Sequence, residues 1–169
     1  MRTPILQQID LWIRSKYAFI MCLICVVLPF IPLQISFISI KPNLLIAAVY
    51  FWSINKPEDL GMVKVFLLGI FVDILEGDLL GINILMLLTT YVIANKLRRF
   101  IFGKPFIISL AGLLIISLGT FVLEWFFISL NQNNFININF ILLSYIITAA
   151  FYPIVALIGA KINNASLKD

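Results

Sequence analysis

Apolar runs of about 17 residues or more recur along this chain, and a run of that length is the mark of a helix that crosses a bilayer. The composition points the same way. Of 169 residues, 62% are hydrophobic and 12% charged, and the mean hydropathy is +1.09. A soluble domain is about half apolar and about a quarter charged. Water cannot be the main solvent of such a chain, and its length suits one domain. The sequence therefore predicts an all-α, polytopic membrane protein whose residues 1–169 form a single integral membrane domain.

Six spans are read near 17–35, 42–55, 60–76, 79–97, 105–130 and 138–160. The second is short: its apolar stretch NLLIAAVYFWSI cannot cross about 30 Å alone. It must borrow flanking residues or sit against neighbours that thin the bilayer. The loops support it. With a cytoplasmic N-terminus and six crossings, eleven of the twelve basic residues fall on the inner side, and Lys41 alone falls outside. That is the positive-inside pattern. Removing the second span would reverse every later loop and scatter those charges. Both termini are then cytoplasmic, and the run from Tyr17 is a first span and not a cleaved leader. Ahead of it, PILQQIDLWIRSK repeats Ile5, Leu6, Ile9, Trp12 and Ile13 at helical spacing, so residues 1–16 read as an interfacial helix or a frayed lead-in.

The basic pI, about 9.2, does not mark a nucleic-acid binder, because the cations form no stripe on a soluble module. Lys96, Arg98, Arg99 and Lys104 are explained by topology, with contact to anionic lipid as the alternative. Cys22 and Cys25 lie inside an apolar helix, with no histidine and no third cysteine in the chain. They read as small apolar fillers and not as a redox or zinc pair. No histidine also means no Ser/His/Asp or Cys/His set. No cofactor is implied.

The polar residues inside spans need a reason. Gly69, Asp73 and Gly77 are spaced by four and fall on one helical face, where glycines admit a neighbouring helix. A mid-bilayer carboxylate costs about 3 kcal/mol to insert, and each Leu, Ile, Phe or Val returns about 0.3–0.6. The span can insert, but the acid should face protein and not lipid. Glu124, in FVLEWFFISL, is a second intramembrane acid in the same outer half. Gly112 and Gly119 form another candidate packing face. Lys41 is a candidate partner for Asp73 or Glu124; otherwise each acid is protonated and hydrogen-bonded or snorkels to water. Asp73, Glu76 and Asp78 in DILEGD admit a metal reading, but no second carboxylate motif or phosphate cradle accompanies them. Pro153 should kink the sixth span, and the small residues Thr148, Ala149 and Ala150 beside it can seat another helix.

Residues 41–99 carry a resemblance. A basic residue and proline precede the second span, Lys41-Pro42. An aromatic-rich end and a short proline loop follow in YFWSINKPEDLG. Then comes a segment of the form G-[LIF]-x-x-D-x-[LF]-x-G-x-x-[LF]-G, matched by Gly69, Asp73, Gly77, Leu80 and Gly81. This pattern resembles the MreD family of rod shape-determining proteins, with lysine where arginine is more usual. The resemblance implies a non-enzymatic scaffold in the bacterial inner membrane. It implies an MreC-like single-span partner and, less directly, an MreB-like filament, a RodA-type glycosyltransferase and a class B transpeptidase that build sidewall peptidoglycan. It also implies a fold similar to the six-helix substrate-binding subunits of energy-coupling-factor transporters. A second function shares that fold: a small-molecule binding subunit of a transporter, with a polar pocket lined by Asp73, Asn83 and Glu124.

Overall fold

The structure, a computed structural model, describes residues 17–30, 43–77, 80–132 and 138–165. The predicted interfacial helix over 1–16, together with Lys41, Pro42 and Asp78, lies outside the described residues. Among those described the chain is helical, with no strand. The helices are α1 (Tyr17–Val27), continued by a 3-10 turn at Leu28–Phe30; α2 (Leu44–Asn55), α3 (Pro57–Leu60), α4 (Met62–Glu76), α5 (Ile82–Ile101), α6 (Phe106–Gln132) and α7 (Ile138–Ala165). A helix stands at each of the six apolar runs. The edges shift where local chemistry decides them. Pro57 opens the extra turn α3, and Gly61 at φ 59° stops it, so α4 begins at Met62. Two helices, α6 and α7, are long and apolar enough to cross a membrane on length and composition.

α2 shows why its shortness is tolerated. It has 12 residues, about 18 Å at 1.5 Å per residue. Yet every side chain from Leu44 to Ile54 is buried. It packs on α5, α7, α3 and α6, so it meets protein on all sides and need not match the bilayer itself. Two of its aromatics seat on glycines of the long helices. A Cβ on Gly112 of α6 would stand 2.5 Å from the Tyr50 hydroxyl, and one on Gly159 of α7 would stand 2.7 Å from Cδ1 of Phe51. Without a hydrophobic drive between helices in lipid, such close van der Waals packing is what holds them. On the α1 side, Trp52 Nε1 donates to Met21 Sδ at 3.3 Å. Cys22 and Cys25 are buried free thiols in α1.

Helix directions follow from contacts at the two ends. The Asn43 N–H at the start of α2 donates to Thr148 Oγ1 of α7 at 3.0 Å, and Phe51, later in α2, meets Gly159, later in α7. Arg98 Nε at the end of α5 donates to the Ile54 carbonyl at the end of α2 at 3.0 Å. So α2, α5 and α7 run one way, and α4 and α6 run the other. α4 packs chiefly on α5, the edge of the arrangement. α7 continues as one helical element through Pro153.

Hydroxyls inside the bundle turn to their own helices. Ser53 donates to the Val49 carbonyl, Thr90 to Met86, Ser117 to Leu113 and Thr148 to Ser144, all within 2.8 Å. This back-bonding satisfies each donor without water, as hydrocarbon demands. Other hydroxyls cross between helices: the Tyr50 hydroxyl donates to the Ser109 carbonyl at 2.7 Å, the Ser109 and Tyr152 hydroxyls share a bond of 2.6 Å, and the Tyr145 hydroxyl donates to the Leu114 carbonyl at 3.2 Å.

Candidate functional site

The apolar run that holds Asp73 ends abruptly. Gly77 takes the left-handed conformation, φ 68°, and its N–H bonds the Asp73 carbonyl at 3.1 Å. A β-carbon is disfavoured there, and glycine stops the helix. Gly77 therefore does not extend the Gly69–Asp73 face; it terminates α4. The chain turns and enters α5 through Gly81, again at positive φ, 103°. A helix that starts on glycine has no side chain to cap its own first N–H groups.

Asp73 supplies that cap from the neighbouring helix. Its Oδ2 accepts the Gly81 N–H at 2.8 Å, and its Oδ1 accepts the Asn83 N–H at 3.1 Å. The side chain is 3% exposed. Each oxygen thus receives a backbone donor, and the negative charge faces the positive end of the α5 dipole. Charge-assisted bonds of this kind contribute about 1.5–3 kcal/mol each, enough to offset an insertion cost of about 3 kcal/mol. One turn on, Glu76 Oε2 accepts from Asn83 Nδ2 at 2.6 Å in an exposed contact. The last turn of α4 therefore holds the first turn of α5 through two acids.

Gly69 sets the spacing that makes this possible. A Cβ there would lie 2.7 Å from the Ile84 Cα and 3.1 Å from its backbone nitrogen. Only glycine lets the α5 backbone come that close, one helical turn below the aspartate. Gly112 is likewise filled, by Tyr50 and Ile101, whereas a Cβ on Gly119 would meet nothing within 4 Å. Among the described residues, the two glycines of α6 do not share a contact.

Glu124 is placed differently. It lies half-buried on α6, beside the buried Thr120 and Phe121. Its electrostatic neighbour is Glu76, a like charge. The candidate cation for either acid, Lys41, is outside the described residues, as is Asp78 of the metal reading. Among the described residues, no three His, Cys, Asp or Glu side chains converge as a metal site.

Sequence reasoning singled out Asp73 but not its receivers. The N–H groups of Gly81 and Asn83 are eight and ten residues away, beyond any helical repeat. The signal was available: a helix entered through glycine, with an acid one turn before the preceding helix ends. Thr148, expected with its small neighbours to seat another helix, meets the start of α2, where its hydroxyl oxygen accepts the Asn43 N–H.

A family model described as rod shape-determining protein MreD matches residues 13–162 of the chain. No curated protein and no solved structure matches it.

Proposed function

Because the chain belongs to the MreD family of rod shape-determining membrane proteins, we propose that it is a non-enzymatic scaffold subunit of the bacterial cell-elongation machinery. In this reading it crosses the inner membrane six times, with both termini in the cytoplasm. It binds an MreC-like single-span protein and through it supports sidewall peptidoglycan synthesis by a RodA-type glycosyltransferase and a class B transpeptidase. An MreB-like filament is the indirect partner on the inner side. The bundle's likeness to energy-coupling-factor substrate-binding subunits belongs to the same proposal.

The observation that carries the reading is the family match, which spans nearly the whole chain. The geometry supports a scaffold in two ways. The carboxylate of the family motif is occupied by backbone donors of its own chain, which makes Asp73 a device for folding the α4–α5 hairpin. The hairpin's outer helix, α4, packs chiefly on α5, and Val63, Leu67 and Ile74 stand exposed along it. A partner's spanning helix fits that face. The family match lends nothing to the transporter reading.

Two experiments test this. Depletion in the native host should convert rods to rounded cells with misplaced wall growth; unchanged rods would contradict the reading. A photo-crosslinking residue placed at Val63 or Leu67 should capture an MreC-like protein in intact membranes. Capture from the α7 position Leu157 instead would move the partner's seat to the other side of the bundle.

A further inference from the structure

The basic residues at the α5–α6 turn are not equivalent. Arg98 is turned inward: its Nε donates to the Ile54 carbonyl and its Nη1 lies 3.8 Å from Glu58. Lys96, Arg99 and Lys104 are exposed and form no ion pair with any described residue. Lys96 and Arg99 are three apart, on one face of α5. The Arg99 guanidinium lies 4.8 Å from the centre of the Phe100 ring. That ring is 59% exposed, and Phe102 across the turn is 54% exposed.

The turn itself is well defined. The Phe102 N–H bonds the Arg98 carbonyl at 2.8 Å, and the Lys104 N–H bonds the Ile101 carbonyl at 3.1 Å. Gly103, at φ 74°, makes the reversal. The apolar run of α6 starts directly after it, at Phe106 and Ile107, and Ile107 is 75% exposed. Unpaired cations and exposed aromatic rings thus alternate within one turn at the rim of an apolar helix.

Positive-inside sorting needs charge alone; it does not need a guanidinium laid on an exposed ring, nor phenylalanines between the cations. Water suits the cations and not the rings. Hydrocarbon suits the rings and not the cations. The boundary between acyl chains and phosphate suits both. We propose that the α5–α6 turn is a binding surface for the headgroup of an anionic phospholipid, with Lys96, Arg99 and Lys104 facing the phosphate and Phe100 and Phe102 set among the upper acyl carbons. Arg98 lies behind it: Ile54 and Glu58 hold its guanidinium, which stands 5.2 Å from the centre of the Phe102 ring.

The test uses the full chain in nanodiscs of phosphatidylcholine with or without phosphatidylglycerol. Symmetrical discs remove any dependence on which side the turn faces, so the result stands apart from the topology of the proposed function. The readouts are the thermal midpoint and the phosphatidylglycerol retained on transfer to mild detergent. Phosphatidylglycerol should raise the midpoint of the wild type, and Lys96→Gln, Arg99→Gln and Lys104→Gln should each cut retention about fivefold, the worth of one cation near an anionic surface. Lys161→Gln, which removes an exposed cation on α7, should retain as much as the wild type. Equal retention by all three variants and the wild type would overturn the proposal, and so would equal stabilisation by the two lipids. Either result would leave these cations to topology or to an acidic protein segment.

Discussion

Asp73 and Glu124 are two acids set in apolar helices, and they are held in different ways. Asp73 is buried, and each of its oxygens accepts a backbone N–H at the entry to α5. Glu124 is half-buried, and its electrostatic neighbour is another acid, Glu76. The same chemical group is bonded to backbone donors in one place and, among the described residues, set beside another acid in the other. What separates them is the receiver. A helix N-terminus offers orphan donors and a favourable dipole; the stretch of α6 around Glu124 offers neither, because its N–H groups are already bonded within the helix.

The largest expected effect breaks the stronger side of the comparison. Asp73→Ala leaves two partly buried donors without their acceptors, at about 1–3 kcal/mol each when burial is complete, and should destabilise by roughly 2 kcal/mol. Asp73→Asn keeps one acceptor oxygen and should lose about half of that. Chemical unfolding in detergent or lipid, followed by tryptophan fluorescence, measures both. Next comes the spacing that brings the aspartate to its donors. Gly69→Leu forces the α5 backbone away at Ile84 and should cost about 2–3 kcal/mol, the upper range for overpacking. Gly119→Leu, on an open face, should change stability by less than about 0.5 kcal/mol.

Thr148→Val sharpens the comparison with a neutral cap. It removes the acceptor for the Asn43 N–H at the start of α2, and should cost about 1 kcal/mol. The smallest effect is on the weaker side. Glu124→Gln removes a charge beside a like charge and should be neutral or stabilising within about 0.5 kcal/mol in the same unfolding assay. A large loss would show that Glu124 has a receiver of its own.

Much of the fold was legible in the sequence, for reasons that differ by element. α6 and α7 are long apolar runs whose composition alone marks them. α2 was too short to be read from hydropathy; the distribution of lysines and arginines argued for it, and its burial on all sides explains why it can be short. The site was half legible. Period four put Gly69 and Asp73 on one face, and Gly69 does meet Ile84. The same spacing misassigned Gly77, because a glycine one residue past a helix end serves the left-handed stop and not the face. The trans-helix caps by Asp73 and Thr148 were not legible, because their donors are set by how two helices meet and not by any repeat within one.

The central claim is that the Asp73 carboxylate is the N-terminal cap of α5. Backbone amide hydrogen exchange at Gly81 and Asn83 tests it most directly, in the wild type and in Asp73→Asn and Glu124→Gln. The account predicts protected amides at both positions in the wild type, exchange at least about tenfold faster in Asp73→Asn, equivalent to the loss of about 1.4 kcal/mol, and no change in Glu124→Gln. Wild-type rates at Gly81 and Asn83 in the Asp73 variant would contradict it.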